Sequence, residues 1–499
     1  MNKSRLTLLL ALLAAFSCTP SQPDPIPDPA PSAMTLSAAS FTVAQAGETV
    51  TLTVTSPARP KVSGLPQWIR FTDGTYSNYK ITFTLQVQAN PGYDTREAEF
   101  TVSAAGVASQ TVTVTQEGLP EPKPLMPGTD AAGWENAASA AIHMGTGWNL
   151  GNTLDTNSGS VDNMWIEAYG SRTPTDYETG WGQPVTTREL MHMFKEAGFG
   201  AIRIPVTWYP HIGTVTVSGN HWDMSTWTGY DVDPVWMARV KEVVDYVIDE
   251  GMYCILNVHH DTGDASTAWL RADKAVYNAT RERYCSLWNQ IATTFGDYGE
   301  KLLFESFNEM LDAKGTWNSS TDDALEAINL YNAAFVSTVR ATGGNNVHRN
   351  LILNTYCAGN QPVVLQAFRL PEDQMEGHLM AEVHSYSPYR FAFDVDDPIT
   401  VFDASCEQEI KTQMDNLNTY LVGKGIPCVI GEYGCTTSRP EAEIARQLAC
   451  YVTQAARYHI PCLCWMLLSD GEDRSVPQWS HPALKDAIIK AYNDNKNHE

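Results

Sequence analysis

Two rhythms of apolar and polar residues run along this chain, and the change between them falls near residue 119. From 34 to 118 apolar positions alternate with polar ones, as in TVTLTVTS (49–56), ITFTLQVQA (81–89), AEFTVSA (98–104) and QTVTVTQE (110–117). Successive side chains of a strand point to opposite faces, so each run has one face to bury. Turn residues between the runs predict a small immunoglobulin-like β-sandwich. Only Trp68 and Tyr76 stand out in it as aromatic groups able to meet a ligand, so the unit reads as a spacer.

After a proline-rich linker (119–128), residues 129–499 follow a second pattern. Short apolar runs occur at 143–150, 201–206, 253–259, 302–308, 351–356, 380–384, 428–432 and 462–465. Between them, helical periodicity is clear at 187–197, 234–250, 280–295, 321–342, 406–424 and 440–458. Eight strands with intervening helices predict an α/β fold, a (β/α)8 barrel with long loops. An open doubly wound sheet is the competing layout, but no glycine-rich dinucleotide fingerprint follows a strand. No cofactor is expected.

The start of the chain carries its own signal. Lys3 and Arg5 precede an apolar run at 6–16, the length of a secretory segment and too short to span a bilayer as a mature helix. It ends in Ala15-Phe16-Ser17-Cys18, which resembles the lipobox of bacterial lipoproteins. That resemblance implies removal of residues 1–17, lipidation of Cys18, and a place on the cell envelope, at the outer membrane or cell surface. The simpler alternative is an ordinary cleaved signal with an incidental cysteine. Residues 18–33, rich in proline and acid, read as an extended tether.

Charge and cysteine content narrow the function. The chain has 33 basic and 57 acidic residues, a net charge of −24. Such a field repels nucleic acid and anionic membrane surfaces and suits a neutral substrate. Of ten cysteines, nine follow Cys18, several in apolar strand-like runs, where cysteine behaves as a small hydrophobe. A single loop disulfide, such as Cys406–Cys435, is the alternative. Cys462-Leu463-Cys464 lacks the second pair and the histidines of a zinc site.

Chemistry in such barrels gathers at the C-terminal ends of the strands. Those ends hold Asn149, Asn152, Arg203, His259, His260, Asn308, Glu309, His384, Tyr386, Glu432 and Trp465. Any one has a dull explanation, since a lone strand-end glutamate is usually a solvated loop carboxylate and a lone histidine is usually structural. A polar set spread over otherwise apolar strands is harder to dismiss. His259, His260 and Asp261 also invite a metal reading, but neighbouring strand residues point apart, so no metal is expected.

The motifs GWNLGNTLD (147–155), ETGWGQPVTT, RIPVTW, NVHHDTG, FESFNEMLD, VHSYSPY and IGEYG resemble, in order, those of glycoside hydrolase family 5, nearest its endoglucanase and xyloglucanase branch. The pattern R-x-A-x-F-T-V-S followed by V-T-V-T-Q-E-G resembles a BACON domain, an immunoglobulin-like module found beside glycanases. The family resemblance implies a retaining, endo-acting β-1,4-glycanase acting on plant cell-wall β-glucan, whether cellulose-type glucan, xyloglucan or mixed-linkage glucan. It implies Glu309 as acid/base and Glu432 as nucleophile. Asn308 would meet the sugar 2-hydroxyl, Arg203 and Tyr386 would serve Glu432, and His259, His260 and His384 would line the cut site.

Trp465 would form the floor under the sugar. Asn152 belongs to the same binding set, and of Trp148, Trp181, Trp208 and Trp269 the reading favours Trp181 and Trp269 as further platforms. The chain departs from the family after Trp465, where Met466-Leu467-Leu468 and SDGEDR replace the usual polar pair. A β-mannanase on the same fold is the alternative within the enzyme class. A non-catalytic glycan-binding barrel is the alternative outside it, opposed by the presence of both glutamates, Arg203 and Tyr386. The protein is expected to act as a monomer, tethered to the membrane only by lipid.

Overall fold

The computed structural model describes residues 29–90, 92, 94–118, 123–317 and 321–496. Residues 1–28, which include the expected signal segment 1–17, Cys18 and most of the expected tether, lie outside the described residues. The chain divides into two compact units, Met1–Glu121 and Pro122–Glu499.

In the first unit, two four-stranded sheets form the sandwich. One contains Thr35–Leu36, Thr49–Thr55, Lys80–Val87 and Ile69–Thr72; the other contains Ser40–Val43, Gln110–Gln116, Arg96–Ser103 and Lys61–Ser63. Alternation fixes the register: Leu52 pairs with Phe83 and Val54 with Ile81, and all four are buried with Leu85, Phe100, Val102, Val112 and Val114. Each such side chain contributes about 1.5–3 kcal/mol on burial. The buried Gln116 amide donates to the carbonyls of Ala44, Gln45 and Gln88, so this buried polar group is satisfied. Trp68 is half-buried beneath the Arg96 guanidinium, 4.2 Å from its ring centre. Tyr76 donates its hydroxyl to the Ser56 carbonyl.

The second unit is a closed barrel of eight parallel strands: β1 (Thr146–Asn149), β2 (Ala201–Ile204), β3 (Tyr253–Asn257), β4 (Leu302–Glu305), β5 (Leu351–Asn354), β6 (Leu379–Ser385), β7 (Cys428–Tyr433) and β8 (Cys462–Trp465). The main outer helices are Arg188–Ala197, Pro234–Asp249, Lys274–Thr294, Asp322–Ala341, Ala404–Leu417, Glu441–Ala456 and Pro482–Asn495. Their starts are written locally. Asp273 accepts from the amides of Ala275 and Val276, and Thr321 from Ala324, satisfying amides that the first turn leaves unpaired.

Three local expectations change. The run at 143–150 begins as a helix, Ala137–Met144, capped by Asn136. Its Ala137, Ala140 and Met144 pack on Ala201, Tyr253 and Leu303 and close the barrel floor, a tertiary contact that strand propensity does not register. Residues 123–128, read as linker, join the barrel unit: the Lys123 amide donates to the Gly423 carbonyl (2.6 Å) and the Asn136 side chain to that of Met126 (2.7 Å). A hairpin, Ile212–Ser218 with His221–Val232, stands between β2 and the next helix. All nine cysteines from Cys254 onward are free, and Cys406 and Cys435 are buried.

Candidate active site

Strand alternation builds a polar layer into the barrel. Ala201, Ile255, Leu303, Ile352, Met380, Val429 and Leu463 form its apolar lower layer with the floor helix. Two residues further along each strand the same face returns. There stand Arg203, Asn257, Glu305, Asn354 and Glu382, all without solvent exposure.

Arg203 ties this layer to the strand ends. Its Nε and Nη2 donate to the two oxygens of Glu305 (2.6 and 2.8 Å), Nη2 also to Asn308 Oδ1 (2.8 Å), and Nη1 to Asn149 Oδ1 (3.0 Å) and Glu432 Oε1 (2.8 Å). Burial alone would weaken the guanidinium as a base, but Glu305, Glu382 and Glu432 hold its pKa well above the usual value. Burial likewise works against the charge on Glu305, yet Arg203 holds its carboxyl below the ordinary range.

Glu432 reaches this cluster through a β-bulge. Between β6 and β7 the pairs Val383–Ile430 and His384–Glu432 leave Gly431 as one extra residue. With Val429 facing inward, strict alternation would aim Glu432 outward; the bulge returns it to the mouth. Only glycine fits there, because a Cβ on residue 431 would lie 1.6 Å from Glu382 Oε1. Tyr386 then donates its hydroxyl to Glu432 Oε2 (2.8 Å).

Glu309 follows β4 and is partly exposed. Its Oε1 lies 2.8 Å from His384 Nδ1, which is also 3.6 Å from Glu432 Oε2. The facing carboxylate oxygens of Glu309 and Glu432 are within 4.8 Å of each other. Burial pulls His384 down, but the charges of Glu432 and Glu309 override it and push its pKa up to about 10.

His259 is held in one tautomer. Asn257 Oδ1 accepts from the Val206 amide, so its Nδ2 is the group facing His259 Nδ1 (3.0 Å) and Glu305 Oε1 (2.9 Å). Nδ1 therefore accepts, and Nε2 carries the proton. Burial keeps the ring neutral, with its pKa well below the usual value. His259 lies parallel to Trp465, at 5.8 Å and 5°. The Trp465 indole in turn crosses Gly151, where a Cβ would stand 2.7 Å from the ring. Burial pushes the neighbouring His260 down to about 4.

These groups open on a cleft of about 850 Å³ lined by His259, His260, Asn308, Glu309, His384, Tyr386, Glu432 and Trp465 among others. Of the expected site residues, Arg203, Asn152, Trp181 and Trp269 do not line it; Arg203 is fully buried and acts from beneath, through Asn308 and Glu432. Asn152 occupies a left-handed turn, φ 56°, that points its amide at Asp155. Trp181 leans on His260 at 5.5 Å. Trp269 is a core residue: it is buried, its indole N–H donates to Asp261 (2.6 Å), and Trp227 packs edge-on against it. Trp148 and Trp208 are likewise fully buried.

His259 and His260 lie beyond the end of β3, where alternation no longer separates them, and their rings meet at 4.5 Å. Asp155, not Asp261, brings a carboxylate within 4.8 Å of both. Asp155 is already held by the amides of Asn152 and Thr153, while Asp261 accepts from Trp208 and Trp269.

Residues 166–471 match the model of the family described as cellulase, glycosyl hydrolase family 5. The chain belongs to glycosyl hydrolase family 5. Endoglucanase A of Clostridium longisporum is 35% identical over 377 residues, covering 72% of this chain and 67% of that one. A family 5 enzyme from Prevotella bryantii B14, solved with a xyloglucan tetradecasaccharide, is 40% identical with a TM-score of 0.64, covering 72% and 99%. A broad-specificity endoglucanase from an uncultured bacterium is also 40% identical, with a TM-score of 0.61, covering 72% and 96%. Residues 61–117 match the BACON family, described as a putative N-terminal binding domain.

Within this family 5 barrel, two groups of residues escaped the sequence reading. Trp317, Asn360, Gln361, Tyr389, Phe393 and Gln413 line the cleft from loops and two helices, and no periodic pattern marks them. Asn257, Glu305, Asn354 and Glu382 do carry a signal: each is a polar residue two positions from an inward apolar one on a strand that is otherwise apolar.

Proposed function

We propose that this chain is a retaining, endo-acting β-1,4-glucanase with Glu432 as nucleophile and Glu309 as acid/base. The observation that carries the reading is the pair of carboxylates within 4.8 Å in an open cleft, differently partnered. Retaining glycosidases place their two carboxyl groups about 5–5.5 Å apart, while inverting ones leave room for a water at about 6.5–9.5 Å. Glu432 receives a guanidinium hydrogen bond and a phenol hydrogen bond, which hold its carboxylate in place for attack. Glu309, more open and set against His384, is placed to protonate the departing sugar oxygen and later to activate water.

The remaining groups act on the sugar. Asn308 Oδ1 is taken by Arg203, leaving its NH₂ for the 2-hydroxyl, a contact that strengthens as the ring becomes oxocarbenium-like. Trp465, backed by the neutral His259, supplies a flat apolar surface under the pyranose. Two of the named relatives are endoglucanases and the third, a family 5 enzyme, was solved with xyloglucan, which supports a glucan backbone over mannan.

The reading is tested by product analysis. A rapid fall in viscosity of soluble glucan or xyloglucan is expected, with the first-formed reducing sugar in the β configuration by proton NMR. An α product, action on mannan alone, or release of terminal monosaccharide only would overturn it.

Two proposals concern the N-terminal parts. Cys18 is proposed to carry lipid, so Cys18→Ala should move the protein from the membrane fraction to the soluble one with catalysis intact. The sandwich is proposed to be a spacer, supported by the covered Trp68 and the engaged Tyr76. A protein without residues 34–118 should keep its activity on soluble glucan, and tight polysaccharide binding by the sandwich would contradict this.

A further inference from the structure

Beneath the catalytic pair lies a group for which the reaction scheme above has no use. Glu382 is completely buried on β6, and neither of its oxygens has a hydrogen-bond partner. Its Oε1 lies 3.4 Å from His384 Nε2, which is also buried and unpartnered, and 3.5 Å from Arg203 Nε. Gly431 has no side chain, and that is what lets the Glu382 carboxyl stand there. His384 is therefore flanked at both nitrogens, by Glu309 at Nδ1 and by Glu382 at Nε2.

We propose that Glu382 is a positioning residue for the acid/base: its protonated carboxyl holds His384 through Nε2 and so keeps Nδ1 on Glu309. This inference rests on the reading of Glu309 as acid/base. One proton on Glu382 resolves the unpartnered atoms together. The hydroxyl donates to Glu305, and the other oxygen accepts from His384 Nε2–H.

Buried carboxyls are costly when charged and unpaired, and here the nearby cation is already claimed. Arg203 spends both its Nε and Nη2 on Glu305. Burial and the charge of Glu305 push Glu382 up to about 8. The titratable groups facing the Glu382–His384 pair are Arg203 on β2, His259 after β3, Glu305 and Glu309 on and after β4, Tyr386 after β6, and Cys428 and Glu432 on β7.

Loss of the Glu382 proton would set two carboxylates against each other and draw His384 and Arg203 inward, away from Glu309 and Glu432. The folded-state value is raised, so the protonated arrangement holds at neutral pH and fails as pH rises through that value.

The experiment uses aryl β-cellobiosides with leaving groups of different acidity, and the full-length protein. Glu382→Leu removes the partner of Nε2. Its kcat/KM should fall about 30-fold or more on phenyl β-cellobioside, part of what general acid catalysis supplies, and less than about threefold on the 2,4-dinitrophenyl compound, which departs without a proton. Glu382→Gln keeps the shape, donates to Glu305, accepts from His384 and cannot ionise. Its alkaline limb of kcat/KM should move up by about half a pH unit or more.

Equal losses of Glu382→Leu on both substrates, or a Glu382→Gln pH profile that superimposes on the wild type, overturn the proposal. Glu309→Ala serves as the reference. If it shows no dependence on leaving group, the acid/base reading fails, and the role of Glu382 fails with it. If it shows the dependence and Glu382→Leu does not, only the Glu382 proposal falls.

Discussion

Replacing Glu432 with alanine should lower activity on glucan by at least about 10⁴-fold, because the atom that would bond the anomeric carbon is gone. Arg203 and Tyr386 would remain around the vacated space, since both are held or packed independently of Glu432: Arg203 by Glu305, Asn308 and Asn149, and Tyr386 edge-on against Phe393. A small anion fits where the carboxylate stood. With azide present, an aryl β-cellobioside should give the inverted α-glycosyl azide, because attack comes from the face Glu432 occupied. Glu309→Ala should behave differently, trapping the glycosyl-enzyme for want of a base and giving the retained β-glycosyl azide. Mass spectrometry and proton NMR of the azide products check both. The reverse stereochemistry in the two variants would exchange the roles of the glutamates.

Arg203→Met should cost about 3–5 kcal/mol of stability at neutral pH, the range for breaking a buried ion pair from one side. The reason is local. Glu305 has no exposure, and without Arg203 its remaining partners are neutral: the side-chain amides of Asn257 and Asn354 and the Glu382 carboxyl. In the wild type the depressed Glu305 pKa contributes stability above the unfolded carboxylate value and loses it as pH falls through the folded one. In the variant burial would raise that pKa instead, so charged Glu305 opposes folding at neutral pH and its protonation relieves the cost. The difference between wild type and variant should therefore narrow on acidification, as read from denaturant midpoints at pH 7 and pH 5. A deficit that is constant with pH would show that lost packing, not uncompensated charge, is the cause. Activity should fall as well, by about 10²–10³-fold, since a preorganised charge beside the nucleophile disappears.

Much of this molecule was written in local pattern. Period-two alternation marked four of the eight sandwich strands to within a few residues, because one buried face suffices to specify a strand in a small sheet. Apolar runs between amphipathic helices marked the barrel, because parallel strands are covered on both faces. The strand-end residues Arg203, Asn308, Glu309, His384, Tyr386, Glu432 and Trp465 were legible for the same reason: polar groups at the end of such strands have no ordinary place in a core. The family motifs then ordered them.

Tertiary structure decided what depends on closure of the barrel. Only a closed sheet turns Glu305, Glu382 and Arg203, on three different strands, into one buried charge cluster, and only the bulge at Gly431 brings Glu432 to face it. The tryptophans divided in the same way. Trp465 and Trp269 have the same composition signal, but the first has Gly151 beneath it and a cleft above, while the second is enclosed by Trp227 and Asp261. The run at 143–150 read as one strand, but its first two residues close a floor helix, 137–144, that only the barrel's need for a plug explains. A sequence states which side chains must leave water; which of them share a cavity, and which partner each buried charge receives, is set by chain segments hundreds of residues away.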